Sequence, residues 1–201
     1  MKQTNVRRSM LCGAIATALI GFSMAASANF GGIYDPNNWT TTLLNGDTGS
    51  VNTGSAPASI AITGSNNGTF SGSFIKYTFQ QSHIAGNVAF QWDFSTADVD
   101  AFFDPAGYIV LGSSLLQLTD DNGALSQNGS ASFAVAADEV FGFYVQSIDN
   151  IGGAATFTIS EFCGPGQSER ECASSVPEPA SLALIALGLL GMGAVRRRQT
   201  R

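Results

Sequence analysis

The sequence predicts an all-β fold: a single two-sheet antiparallel β-sandwich, jelly-roll-like, with an N-terminal signal helix and a C-terminal transmembrane helix at its ends. Three observations predict it. Apolar residues recur at every second position in several short stretches, Gly- and Asn-rich turn signals separate those stretches, and no helical period runs between residues 29 and 162. That length is enough for one domain with its own core.

The first element is the signal segment, residues 1–28. Lys2, Arg7 and Arg8 precede an apolar run at 10–26, and Ala26-Ser27-Ala28 closes it with small side chains. A basic start, a short apolar middle and a small-x-small cut site are the parts read by the secretion machinery and signal peptidase, with cleavage after Ala28. An uncleaved N-terminal membrane helix is the alternative, and the Arg7-Arg8 pair leaves the Sec and twin-arginine routes both open. Cys12 stands before most of the apolar run rather than after it, which argues against lipidation there.

The exported domain, residues 29–162, follows as about nine strands. Residues 40–44 and 59–63 are short candidates. In 74–80, Ile75, Tyr77 and Phe79 share one face; in 87–94, Val88, Phe90, Trp92 and Phe94 do. Residues 108–111 and 115–118 are shorter again. Ala131, Phe133 and Val135 alternate, as do Phe141, Phe143 and Val145, then Ala155, Phe157 and Ile159. Asn45-Gly46-Asp47, Asn66-Asn67-Gly68, Asp104-Pro105, Asp121-Asn122-Gly123, Asn128-Gly129 and Ile151-Gly152-Gly153 punctuate them. One-sided apolar faces of this kind close by packing two sheets together. The aromatics read as core, except Trp39. Beside Asp35-Pro36-Asn37-Asn38, it is expected at the surface, where it would serve as a sugar-stacking platform.

Charge is concentrated in this domain. Between residues 29 and 176 fourteen acids face two bases, Lys76 and Arg170, giving −12 against −6 for the whole chain. Such a surface repels phosphate backbones and excludes nucleic acid as a partner. It favours divalent cations, although acids also simply keep an exported protein soluble. No cofactor is expected other than calcium. Asp98, Asp100 and Asp104 lie on one loop after a strong strand, and hard oxygen ligands from such a loop suit Ca²⁺, without the spacing of an EF-hand. Zinc lacks ligands, since the chain has one histidine.

No catalytic residue is expected, and the protein is read as not an enzyme. His83 sits in a loop as a bystander, and no Gly-x-Ser-x-Gly elbow is present. Paired carboxylates among Asp93, Asp98, Asp100 and Asp104 keep a glycoside hydrolase as a minor alternative.

Residues 163–175 form a linker in which Cys163 and Cys172 flank eight residues. An even pair in an exported chain reads as a disulfide, and closing that loop is worth about 2–3 kcal/mol.

The last segment, residues 176–201, begins Val176-Pro177-Glu178-Pro179-Ala180-Ser181 and continues as fifteen apolar or small residues, 181–195. Arg196, Arg197, Arg198 and Arg201 finish it. The prolines prevent helix across the motif. The stretch after it spans roughly 22 Å as helix, short of a roughly 30 Å hydrocarbon core, a mismatch that snorkelling and thinning absorb. The arginines fix the cytoplasmic side. This order of motif, short helix and arginine cluster resembles the PEP-CTERM sorting signal of Gram-negative bacteria that make exopolysaccharide; similar tails occur on some ice-binding proteins. The resemblance implies an exosortase as partner, acting near Pro177-Glu178-Pro179. It also implies an inner-membrane-anchored chain facing the periplasm, passed on to the cell surface or matrix. The stretches 92–100, 104–108, 127–129, 136–143 and 149–150 are similar to an exported domain that recurs on such proteins. The function expected is a non-enzymatic envelope or exopolysaccharide-associated protein. A carbohydrate-binding module, calcium-dependent or not, is the alternative, followed by an ice-binding surface protein.

Overall fold

The computed structural model describes residues 30–80, 83–110, 114–168 and 172. The signal segment with Ala28 and the anchor with Val176, Pro177, Glu178, Pro179, Arg196, Arg197 and Arg198 lie outside the described residues. Among the described residues ten strands form two five-stranded antiparallel sheets. In chain order they are β1 (Thr40–Leu44), β2 (Ser50–Asn52), β3 (Ser59–Thr63), β4 (Ser73–Gln80), β5 (Gly86–Thr96), β6 (Ala106–Val110), β7 (Ser114–Gln117), β8 (Ser126–Val135), β9 (Val140–Ser147) and β10 (Ala155–Cys163).

One sheet runs β1-β4-β9-β6-β7 and the other β2-β3-β10-β5-β8. From β3 to β6 the chain alternates between them, and it does so again from β8 to β10. Each strand in the middle of a sheet therefore pairs with partners distant in sequence. Strand alternation follows directly from burial. Ile75, Tyr77 and Phe79 of β4 face Val88, Phe90, Trp92 and Phe94 of β5 and Phe157 and Ile159 of β10 in one continuous core.

Two elements depart from simple alternation. In β9 all five residues from Phe141 to Val145 are buried, because β9 is the central strand of its sheet and Tyr144 sits in register between Lys76 and Gly107. In β10 the register shifts between Ser160 and Cys163, with Glu161 at φ 47°. That bulge re-phases the strand and turns Phe162 inward, fully buried.

β2 was not anticipated by the sequence pattern, since three residues carry no period. β1 matches its expected span but is exposed throughout, pairing only with β4 at the sheet edge.

Candidate functional site

The strand registers place the sandwich's two ends in opposite chemistry. β4 begins at Ser73 and ends at Gln80, and β9 runs antiparallel to it, so Phe79 and Phe141 share one end while Ser73 and Ser147 share the other. β5 and β10 agree: Ala89 pairs with Cys163 at the first end, Thr96 with Ala155 at the second.

The first end is aromatic. Trp39 stacks on Tyr77 at 4.9 Å and on Phe143 at 5.8 Å between ring centroids, and Phe30 stacks on Phe162 at 4.7 Å. The Trp39 indole donates to the Tyr34 carbonyl oxygen at 3.0 Å. Trp39 is 8% exposed, so the expected surface platform is corrected to a core residue. The reason is local: Asp35 accepts from the Asn37 amide and Pro36 opens a short 3-10 turn, which folds the N-terminal segment across the open edge of the sheets. The chain leaves by the same end. The Tyr34 hydroxyl donates to the Pro165 carbonyl at 2.8 Å, and Cys163, last residue of β10, is bonded to Cys172 with 5.0 Å between Cα atoms. Packing therefore continues past Phe162 into the segment read as linker.

The second end is polar, built from three loops. Asp47, on the loop after β1, accepts from the Gly49 amide and the Ser73 hydroxyl. Ser73 also reaches Asn150 Oδ1, whose amide nitrogen donates to the Ser71 carbonyl. Next to this satisfied network stand two carboxylates that are not satisfied. Asp98 is 4% and Asp104 0% exposed, and Asp98 Oδ2 and Asp104 Oδ1 are buried without a hydrogen-bond partner. The Thr96 hydroxyl joins them, donating to Asp104 Oδ2 and accepting from the Asp98 amide at 3.0 Å. Asp98 Oδ1 accepts from the Val99 amide.

Gly152, at φ +87°, lets the loop before β10 close on Asp98; a Cβ there would fall 2.5 Å from Oδ1. Asp149 belongs to that loop and its Oδ1 accepts from the Ile151 amide at 3.1 Å. Burial, followed by the charges of Asp98 and Asp149, pushes the Asp104 carboxyl up to about 6, against hydrogen bonds from Thr96 and Ser147 that pull it down.

The structure thus divides the three loop aspartates read from the sequence. Asp98 and Asp104 come together; Asp100 is exposed and caps the 3-10 turn Ala101–Phe103, accepting from the Phe102 amide at 3.1 Å. What joins them instead is Asp149, with Thr96 and Ser147. Only the turn signal around Asp149-Asn150-Ile151-Gly152 marked that loop in the sequence. Among the described residues no three His, Cys, Asp or Glu side chains form a ready-made metal-ligand group, so any ion here would draw on hydroxyl, main-chain and water oxygens besides two carboxylates.

Two further features complete the surface. His83 is exposed, with Nδ1 3.4 Å from Asp138 Oδ1. At β5 and β8 an open depression of about 330 Å³ is lined by Gln91, Trp92, Asp93, Asn128, Gly129 and Ser130. Gly129 pairs with Trp92 across the strands, and the buried indole packs so close that a Cβ at Gly129 would fall 3.0 Å from it.

Residues 175–198 match the PEP-CTERM protein-sorting motif. This motif implies an exported, membrane-anchored protein of a Gram-negative bacterium, processed by an exosortase. Among the described residues no helix is long and apolar enough to cross a membrane. No curated protein matches the chain. Among solved structures the chain is similar to the enzymatically active domain of tailspike protein 4 of bacteriophage CBA120, at 14% identity and TM-score 0.36, over 70% of this chain and 20% of that one. It is similar to the CBM35 of Paenibacillus barcinonensis, at 13% identity and TM-score 0.31, over 60% and 98%. It is also similar to the C-terminal CBM6 of the laminarinase LamC of Zobellia galactanivorans, at 15% identity and TM-score 0.29, over 60% and 99%. The chain spans a fifth of the tailspike domain's length. Likenesses this distant leave function to be argued from the chain's own residues.

Proposed function

We propose that the protein is a non-enzymatic component of the cell envelope or of an exopolysaccharide layer, delivered there by an exosortase. The observation that carries this reading is the sorting motif at 175–198, which begins three residues after Cys172. The disulfide ties the tail to the aromatic end of the sandwich, so the polar end is the part turned away from the attachment. An oxidising, extracytoplasmic setting suits that bond. Among the described residues the histidine faces a surface carboxylate, and Asp98 and Asp104 are buried away from solvent.

The test is fractionation of cells that make the natural chain or its Pro177→Ala, Glu178→Ala, Pro179→Ala variant. Exosortase handling predicts that the variant keeps its C-terminal mass and stays in the inner-membrane fraction. Identical processing and destination of the two would reject it.

A second reading, carbohydrate binding, is favoured by the depression on β5 and β8. Gln91, Asp93, Asn128 and Ser130 line it with amide, carboxylate and hydroxyl groups, the donors and acceptors that a sugar's hydroxyls need. Glycan-array binding by the exported protein that disappears in Asp93→Ala, Asn128→Ala would support it. Binding that survives both changes, or none at all, would remove the depression from consideration.

A further inference from the structure

We propose that the polar end of the sandwich holds one divalent cation, calcium by its chemistry, between Asp98 Oδ2 and Asp104 Oδ1. The argument starts from an electrostatic imbalance. Buried charges in proteins are paired with opposite charge or ligate metals, because an unpaired carboxylate out of water is costly. Asp98 and Asp104 are both buried and each presents one oxygen with no partner, and the Thr96 hydroxyl links them by donating to Asp104 Oδ2 and accepting from the Asp98 backbone amide. Among the described residues the sole Lys or Arg is Lys76, on β4 in register with Tyr144, and His83 lies beside Asp138, so neither is placed to balance them. Asp149 adds a third negative charge from the facing loop.

The donor set selects the ion. The oxygens at the two carboxylates are carboxylate and hydroxyl, from Asp98, Asp104, Asp149, Thr96 and Ser147, with no thiolate or imidazole among them. That is the preference of a hard cation, and the irregular loop geometry suits calcium better than magnesium, which demands a near-ideal octahedron. Two carboxylates rather than three or four place the affinity with extracellular modules, on the order of 10⁻⁴–10⁻³ M. The ion would add a charged link between two stretches already joined by main-chain bonds, from Ala97 to Ala154 and from Ile148 to Phe103: the one after β5, bearing Asp98 and Asp104, and the one before β10, bearing Asp149 and Gly152. The proposal stands apart from the sorting reading, since it concerns only the folded domain.

The experiment uses the exported protein freed of metal with EGTA and exchanged into calcium-free buffer at pH 7.5. Calcium chloride is then added in a calorimetric titration and in thermal melts. The expected result is about one calcium per chain and a melting temperature about 5 °C higher in 5 mM calcium. Asp98→Asn, which keeps shape and removes charge, should weaken binding at least about tenfold. Asp100→Ala should bind calcium as the natural chain does. Asp149→Asn, at a half-buried position and with an amide oxygen that can still accept from the Ile151 amide, should weaken binding several-fold and decides the matter if the buried variants do not fold. No heat and no shift in the natural chain would overturn the proposal. So would full affinity in both Asp98→Asn and Asp149→Asn, or unchanged affinity in Asp149→Asn where Asp98→Asn does not fold, because the ion would then sit elsewhere.

Discussion

Roughly 25 Å apart along strands of eight residues, the two ends of this sandwich are closed by different physics. At the aromatic end, Phe30, Tyr34, Trp39, Phe79, Phe141 and Phe162 fill the gap between sheets with rings, and the few polar atoms among them find main-chain partners. At the other end, the sheets are closed by Asp47, Ser73, Ser147 and Asn150, which satisfy one another, and by Asp98 and Asp104, which do not. Apolar closure is tolerant because dispersion and burial are non-directional. Polar closure depends on every partner being present. The end that bears the tail is thus the self-sufficient one, and the far end is the one whose completion depends on solution conditions.

The sharpest way to break that contrast is at the aromatic end. Trp39→Ala removes a ring packed on both sheets and the N-terminal segment, and should cost about 3–5 kcal/mol, read as a fall in the urea midpoint. The calcium response of the remaining folded protein should persist, because the carboxylates are at the other end. Loss of that response would mean the two ends are coupled.

Next in size is the disulfide. Cys163→Ser with Cys172→Ser should lower stability by about 2–3 kcal/mol, the loop-closure value for so short a loop. A denaturation midpoint that does not move on reduction would show that Tyr34 and Pro165 hold the exit without it.

The polar end should respond to pH. In calcium-free buffer the Asp104 carboxyl stands at about 6 in the folded protein against an ordinary 3.8, so the folded form keeps its proton longer than the unfolded chain. That contribution is fully present below about pH 4, declines as pH rises through about 6 and is absent above; it is on the order of 2 kcal/mol after allowance for solvent screening. Melting temperature should therefore fall between pH 4 and 6.5 in chelator, and Asp104→Asn should flatten the profile. A profile equally steep in that variant would assign the slope to other carboxylates.

The smallest effect expected is that of Asp100→Ala. Losing its bond from the Phe102 amide removes a turn cap worth about 1 kcal/mol, with calcium affinity untouched. A larger loss of affinity would return Asp100 to the ligand set.

Much of the scaffold was legible beforehand because burial on one face of a strand imposes a period of two. The spans 40–44 and 59–63 and the apolar faces of β4, β5 and β10 could be read from spacing alone. β2 could not, being too short to repeat, and Phe162 could not, because the bulge at Glu161 shifts the phase of its strand. Trp39 was misread for a related reason. Its polar neighbours Asp35 to Asn38 satisfy themselves in turns, and so leave the indole free to fold inward.

By itself the sequence determined that the chain makes strands rather than helices, which faces of those strands are apolar, and that a PEP-CTERM signal occupies 175–198. All of these are written in residues near one another along the chain. Only the tertiary structure decided which carboxylates share a site. Asp98 and Asp104 meet Asp149 because strand order sets the loop after β5 against the loop before β10, some 50 residues on. Asp100, between the two that count, is spent on its own turn. Proximity across two sheets is a property of pairing at long range, and local spacing holds no record of it.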